Sequence, residues 1–349
     1  MRAVSQLPES LARSTPSGTK VTRRLHGFAW GVLAYNLLVV AWGAFVRATG
    51  SGAGCGAHWP LCNGEVVPRP KRLETVIELS HRVTSGISVL LVVALYVVAR
   101  RAVPQGHRAR RASLAAMLFS FGEALIGGAL VLLELVAHEK SIKRAVSSVL
   151  HLGNTFFLLG ALVLAAWSLR DELLGRASPA PPSGAREPGA VLVRLVAFVA
   201  MGAVLAIGAT GAIAALGDTL FPVASLREGL AQDLSPTAHV FLRLRALHPL
   251  FAVGAAAALI ASAALFRVAR PAPRVLAFSR VLAASFLVQL GLGLLNVVLL
   301  APVWMQLVHL LSADVVWLSL VLLVWETIWG EGLRAARASE DAEVRAAAA

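Results

Sequence analysis

Apolar residues in this chain gather into long, nearly unbroken runs. Eight such runs are 18 or more residues long, close to 28–46, 76–99, 113–137, 145–169, 191–214, 240–266, 276–299 and 303–329. At 1.5 Å per residue, each is long enough as a helix to cross about 30 Å of hydrocarbon. The pattern predicts an all-α integral membrane protein with eight transmembrane helices. A basic and polar segment of 27 residues precedes the first run, and seven more runs follow it, so it reads as an anchor and not as a cleaved signal peptide.

Composition agrees. A chain of 349 residues has room for about two soluble domains, but 57% apolar residues, 15% charged residues and a mean hydropathy of +0.73 do not describe water-soluble ones. The net charge of +13 would point to nucleic acid in a soluble protein; here the Lys and Arg residues sit between the apolar runs. One side of the alternating topology takes the N-terminal segment, the loops at 100–111 and 267–280, the stretch at 170–194 and the tail, and it collects 21 of the 32 Lys and Arg. By the positive-inside rule that side is expected to be the cytoplasm, with both termini in it and the 47–75 loop facing outward; the membrane is expected to be a bacterial-type cell membrane. Topology thus accounts for the charge; nucleic acid is dropped as a partner and membrane lipid takes its place.

The Pro-rich stretch Ser178-Pro179-Ala180-Pro181-Pro182-Ser183-Gly184 has four runs on either side and reads as a seam. It divides the chain into an N-terminal segment (1–27), a first four-helix bundle (28–169), a linker (170–190), a second four-helix bundle (191–329) and a tail (330–349). A weak internal repeat supports the division. Ser120 to Gly128 resembles Ser285 to Gly293, and Val149-Leu150-His151-Leu152 resembles Leu307-Val308-His309-Leu310. Four spans followed by four put both halves in one orientation, so the bundles are expected to be pseudo-symmetric about an axis along the membrane normal.

Of the nine histidines, His26, His58, His107, His138 and His239 fall in loops or at span edges. His81, His151, His248 and His309 lie one each in spans two, four, six and eight, between five and eight residues past the start of each. All four therefore sit at one depth, about 10 Å below the outer face. Any one of them is explained as a core histidine bonded to a carbonyl; four at one depth are functional candidates. The separations, 70 residues in the first half and 61 in the second, group them two and two. Two imidazoles from facing helices are a common clamp for haem iron, giving one haem-sized site per half. A single four-histidine metal site is the rival.

The halves differ around these histidines. Glu78 stands three residues before His81, on the same helix face, where the second half has Arg245. A carboxyl group beside a membrane cofactor site is costly and suits acid–base work, although a helix-start carboxylate favoured by the dipole is the plainer account. Glu123 in span three lies near no histidine in sequence and reads as a packing or proton-path residue. Cys55 and Cys62, seven apart in a Gly-rich outward loop, either close a ring in an oxidising compartment or remain two free thiols. Arg47, Arg82, Arg243 and Arg245 near the outer span ends either grip haem propionates bidentately or snorkel to the interface.

Taken together, Arg47-x-Thr49-Gly50-Ser51-Gly52, Cys55, Trp59-Pro60-Leu61-Cys62-Asn63-Gly64, Glu78-x-x-His81-Arg82, His151, His248 and His309 resemble the haem A synthase family across essentially the whole chain. The resemblance implies two pseudo-symmetric four-helix bundles and an oxidoreductase that turns a methyl group of haem O into a formyl group through a hydroxymethyl intermediate. It implies that His81 and His151 flank the substrate haem, that His248 and His309 ligate a permanent haem b, that Glu78 is the essential acid and that Cys55 and Cys62 form a disulfide. Implied partners are haem O, haem A, a haem O synthase and the cytochrome oxidase assembly machinery; an oligomer is left open. Two features depart from the family pattern: Gly56-Ala57-His58 stands where a Pro-Asp type of sequence is expected, and the second half has no cysteine pair. The competing functions are a di-haem cytochrome b that carries electrons and a haem-transport protein without porphyrin chemistry.

Overall fold

The computed structural model describes residues 16–66, 68–69, 72–173 and 189–330. Among them lie nine α-helices and no paired strands: α1 (Pro16–Ala48), α2 (Leu73–Ala102), α3 (Arg108–Leu132), α4 (Ile142–Leu173), α5 (Ala190–Leu220), α6 (Leu226–Asp233), α7 (Val240–Ala269), α8 (Pro273–Val298) and α9 (Val303–Trp329). All but α6 are long and apolar enough to cross a membrane. The protein is thus an all-α integral membrane protein with eight candidate spans, and the expected elements are present. Large apolar side chains such as Leu38, Leu90, Leu125, Phe198 and Leu287 point outward and are exposed, as lipid-facing positions require.

Helix α1 packs on α2 and α4, and α3 packs on the same two, which closes one ring of four. In the second half α5 and α8 each pack on α7 and α9, closing another. The rings share a seam in which α4 lies against α5 and α9, and α1 also reaches α9. Because lipid tails are as apolar as Leu, nothing hydrophobic draws such helices together; close packing and interhelical hydrogen bonds must do it. Ser88 Oγ donates to Asn36 Oδ1 (2.8 Å) between α2 and α1, and Tyr35 Oη donates to the Thr84 carbonyl (3.1 Å). At the seam the fully buried Trp317 of α9 donates from Nε1 to the Phe156 carbonyl of α4 (2.6 Å), and the two rings stack with centroids 5.1 Å apart.

Several boundaries differ from the sequence expectation, each for a local reason. The first helix begins at Pro16 and not near 28, because the polar residues from 16 to 27 continue its turn. The third ends at Leu132, short of 137: Glu134 and Ala137 take left-handed φ values of 55° and 51°, which the apolar run through Leu135 and Val136 conceals. Helix α6 was not expected. It is short and amphipathic, and its start is a capping arrangement: Ser225 Oγ accepts from the Glu228 amide (3.2 Å) while Glu228 Oε2 accepts from the Ala224 amide (2.9 Å). The basic residues Arg2 and Arg13, the Pro-rich stretch Ser178 to Gly184 and the tail from 331 lie outside the described residues.

Replacing Trp317 with Phe keeps the stack and removes the seam hydrogen bond, so thermal unfolding in detergent is expected to show a loss of about 1 kcal/mol. Trp317→Ala is expected to cost about 3–5 kcal/mol, since the side chain is fully buried.

Candidate functional site

The four intramembrane histidines share one kind of seat. Each imidazole lies against a glycine on a neighbouring helix, with Cε1 the ring atom nearest to where a Cβ would stand. That distance is 2.9 Å from Gly43 on α1 to His81 on α2, 3.1 Å from Gly211 on α5 to His248 on α7, 3.1 Å from Gly293 on α8 to His309 on α9, and 3.9 Å from Gly127 on α3 to His151 on α4. At three of the four positions any larger residue would push the ring away. The rings are also brought together in pairs: His81 lies within electrostatic reach of His151, and His309 of His248. Among the described residues no group of three or more His, Cys, Asp or Glu gathers into a metal-ligand cluster, which argues against one four-histidine site.

The ring nitrogens have different partners in the two halves. His151 Nδ1 lies 3.0 Å from Glu123 Oε2, correcting the expectation that Glu123 stands apart from the histidines. Glu123 Oε1 accepts from Asn154 Nδ2 (2.6 Å) and Thr155 Oγ1 (3.2 Å). In the second half His248 Nδ1 meets the Thr210 hydroxyl (2.9 Å), and His309 Nε2 meets the Gln289 amide nitrogen (3.3 Å). Nδ1 of His81, His151 and His309 is buried without an aligned hydrogen bond among the described residues, so His151 Nδ1 and Glu123 Oε2 meet as a close charged contact. Paired imidazoles seated on glycine, with ring nitrogens left over, fit axial ligation of a haem in each half.

Glu78 is buried, and its carboxyl group faces the loop that carries Cys55. Oε2 accepts from the Cys55 amide (2.7 Å), and Oε1 accepts from Nε of Arg82 (3.1 Å) and from its Nη2. Cys55 and Cys62 form a disulfide, both buried, with their Cα atoms 4.4 Å apart. Arg82 Nη1 donates to the carbonyls of His58 (2.6 Å) and Leu61 (2.5 Å). One acid and one guanidinium on α2, together with Thr75 Oγ1 donating to the Gly54 carbonyl (2.7 Å), therefore hold the disulfide loop.

The other arginines are engaged elsewhere. Arg47, at the end of α1, reaches across the seam: Nη1 donates to the Ala215 carbonyl (2.8 Å) and Thr219 Oγ1 (3.2 Å), and Nη2 to Gln306 Oε1 (3.0 Å). Arg245 pairs with Asp233, with Asp218 (3.2 Å) and with Gln232 (3.2 Å). Arg243 Nη2 donates to the Pro236 carbonyl (2.6 Å). Two of the edge histidines have plain duties: His107 Nδ1 caps α3 through the Ala109 amide (3.1 Å), and His239 Nδ1 caps α7 through the Phe241 amide (3.3 Å). The sequence reasoning passed over Asp314 on α9, which is fully buried with neither carboxyl oxygen hydrogen-bonded among the described residues. Its signal was a lone acid inside an apolar run.

Fold and site together define a helical membrane protein with two half-buried histidine pairs, the first with Glu123 against His151 and, on the helix of His81, a buried Glu78 that holds the disulfide loop. The family described as COX15-CtaA, cytochrome oxidase assembly protein, matches residues 26–321. The chain belongs to that family. A Thermus thermophilus protein named protoheme IX farnesyltransferase is 48% identical over 305 residues, which are 87% of this chain and 48% of that protein. The chain thus spans about half the length of that relative. A heme A synthase from Bacillus cereus is 43% identical over 95 residues, 27% of this chain and 30% of the relative.

Arg82→Gln frees the two loop carbonyls and one side of Glu78. Limited proteolysis within residues 56–66 is expected to accelerate, and thermal stability to fall by about 1–3 kcal/mol.

Proposed function

We propose that this protein is a membrane haem-modifying oxidoreductase, a haem A synthase that oxidises a methyl group of haem O to a formyl group through a hydroxymethyl intermediate. The observation that carries this reading is the asymmetry of two otherwise similar histidine pairs: both have glycine seats, but only the first has an acid, Glu123, against a ring and a second acid, Glu78, on the helix of His81 that holds the disulfide loop. In this reading His81 and His151 hold the substrate haem, and His248 and His309 ligate a permanent haem b. That haem b, when bound, supplies one-electron transfer. Glu78 serves as the acid–base residue on the outer side of the first pair, with Arg82 and the Cys55 amide fixing its orientation. Arg47, Arg82 and Arg245 contribute positive charge near the propionates, in addition to their protein contacts.

Family membership and the partial match to a heme A synthase support the enzyme. The farnesyltransferase name belongs to a relative about twice as long, and we assign farnesyl transfer to the part of it that this chain does not match. The first bundle, 28–169, would then be the substrate domain and the second, 191–329, the electron-transfer domain, in a cell membrane with both termini cytoplasmic. A haem O synthase would supply the substrate, and the cytochrome oxidase assembly route would take the product.

A second reading follows from the contacts of Glu78. Its bonds to Cys55 and Arg82 are those of a loop anchor, as in a di-haem cytochrome b that carries electrons without altering porphyrin. Chromatography and mass analysis of haem extracted from protein produced with a haem O source separate the two. The enzyme yields haem A or its hydroxymethyl precursor beside haem b; haem b alone, at two per chain, identifies the cytochrome. Glu78→Ala is expected to retain bound haem and lower haem A formation by on the order of 10²-fold or more. His248→Ala is expected to abolish the low-spin haem b spectrum, and a spectrum at full intensity would overturn the ligand pairing.

A further inference from the structure

We propose that Glu123 is a positioning residue for His151: its carboxyl group fixes the ring as the Nδ1–H tautomer, so that Nε2 alone is presented as a haem ligand. This rests on the reading that His81 and His151 hold the substrate haem. A neutral imidazole has one donor and one acceptor nitrogen, and the partner of one nitrogen decides the role of the other. Nδ1 lies 3.0 Å from Glu123 Oε2 without an aligned hydrogen bond, and at that distance a carboxylate oxygen repels a nitrogen lone pair and attracts an N–H, which favours the proton on Nδ1 and the lone pair on Nε2. The carboxyl group is not free to turn away. Asn154 Nδ2 and the Thr155 hydroxyl both donate to Oε1, and Asn154 Nδ2 also donates to the Phe119 backbone carbonyl (2.8 Å), so two side chains hold one orientation.

The second half provides an internal comparison. Gln289 stands four residues before Gly293, and Glu123 stands four before Gly127; each of these glycines faces the histidine ring of the helix that follows. At this matching position the second half has an amide, and it meets Nε2 of His309 instead of Nδ1. His248 meets the Thr210 hydroxyl through Nδ1. A carboxyl partner on a ligating histidine strengthens its donation to the metal and fixes its ring, so the first haem would have a more strongly donating ligand than the second.

The Glu123→Gln variant of the full-length chain tests this. Asn154 and Thr155 hold the amide oxygen where Oε1 was, which turns the new NH2 group toward Nδ1 and forces that nitrogen to accept. Long-range proton–nitrogen NMR of the haem-free, histidine-labelled chain is therefore expected to show the His151 proton moving from Nδ1 to Nε2. Haem titration should show first-site affinity falling about 10- to 100-fold while the second site is unchanged. Thr210→Val is the control and should leave the His151 tautomer untouched. An Nδ1–H ring in the Gln variant overturns the proposal, as does a switched tautomer with unaltered first-site affinity. If His151→Ala binds haem as the parent chain does, the haem-site reading fails instead, whatever the tautomer result.

Discussion

An imidazole on a membrane span must lodge against something, because an unsupported polar ring in hydrocarbon is costly. In all four even-numbered spans the support is a glycine on an adjacent helix, met by the same ring atom. That contact sets how closely the helices approach, at what depth the rings sit and which rings face each other. The polar bonds between spans, from Asn36 and Ser88 to Trp317 and the Phe156 carbonyl, keep the helices at the distance the glycines allow.

The acids around the first pair divide the work. Glu78 turns outward and ties the disulfide loop to α2, whereas Glu123 turns inward and meets a histidine. The second half answers with neutral groups, Thr210 and Gln289, and gathers the part-buried Arg245, Asp218 and Asp233 into an ion-pair cluster. Two histidine pairs built alike thus end up in different electrostatic surroundings.

What was legible in the sequence followed from local properties. Hydropathy revealed the eight spans, and one histidine a few residues past the start of each even-numbered span singled out His81, His151, His248 and His309. Partners from distant helices could not be read. Glu123 and His151 are 28 residues apart and meet only because α3 and α4 pack, and Arg47 finds Ala215, Thr219 and Gln306 far along the chain. Helix α6 was missed although Ser225 and Glu228 were in view, because a short amphipathic turn makes little mark on a hydropathy reading tuned to long apolar runs.

Arg47 stands two residues before the loop that begins at Thr49, and its guanidinium is fastened to the opposite half of the protein. The disulfide loop is therefore moored at both ends, by α2 through Glu78 and Arg82 and by α5 and α9 through Arg47. A displacement of this loop, whatever prompts it, pulls on the bundle that holds the second histidine pair, so the two halves are mechanically joined where α1 ends.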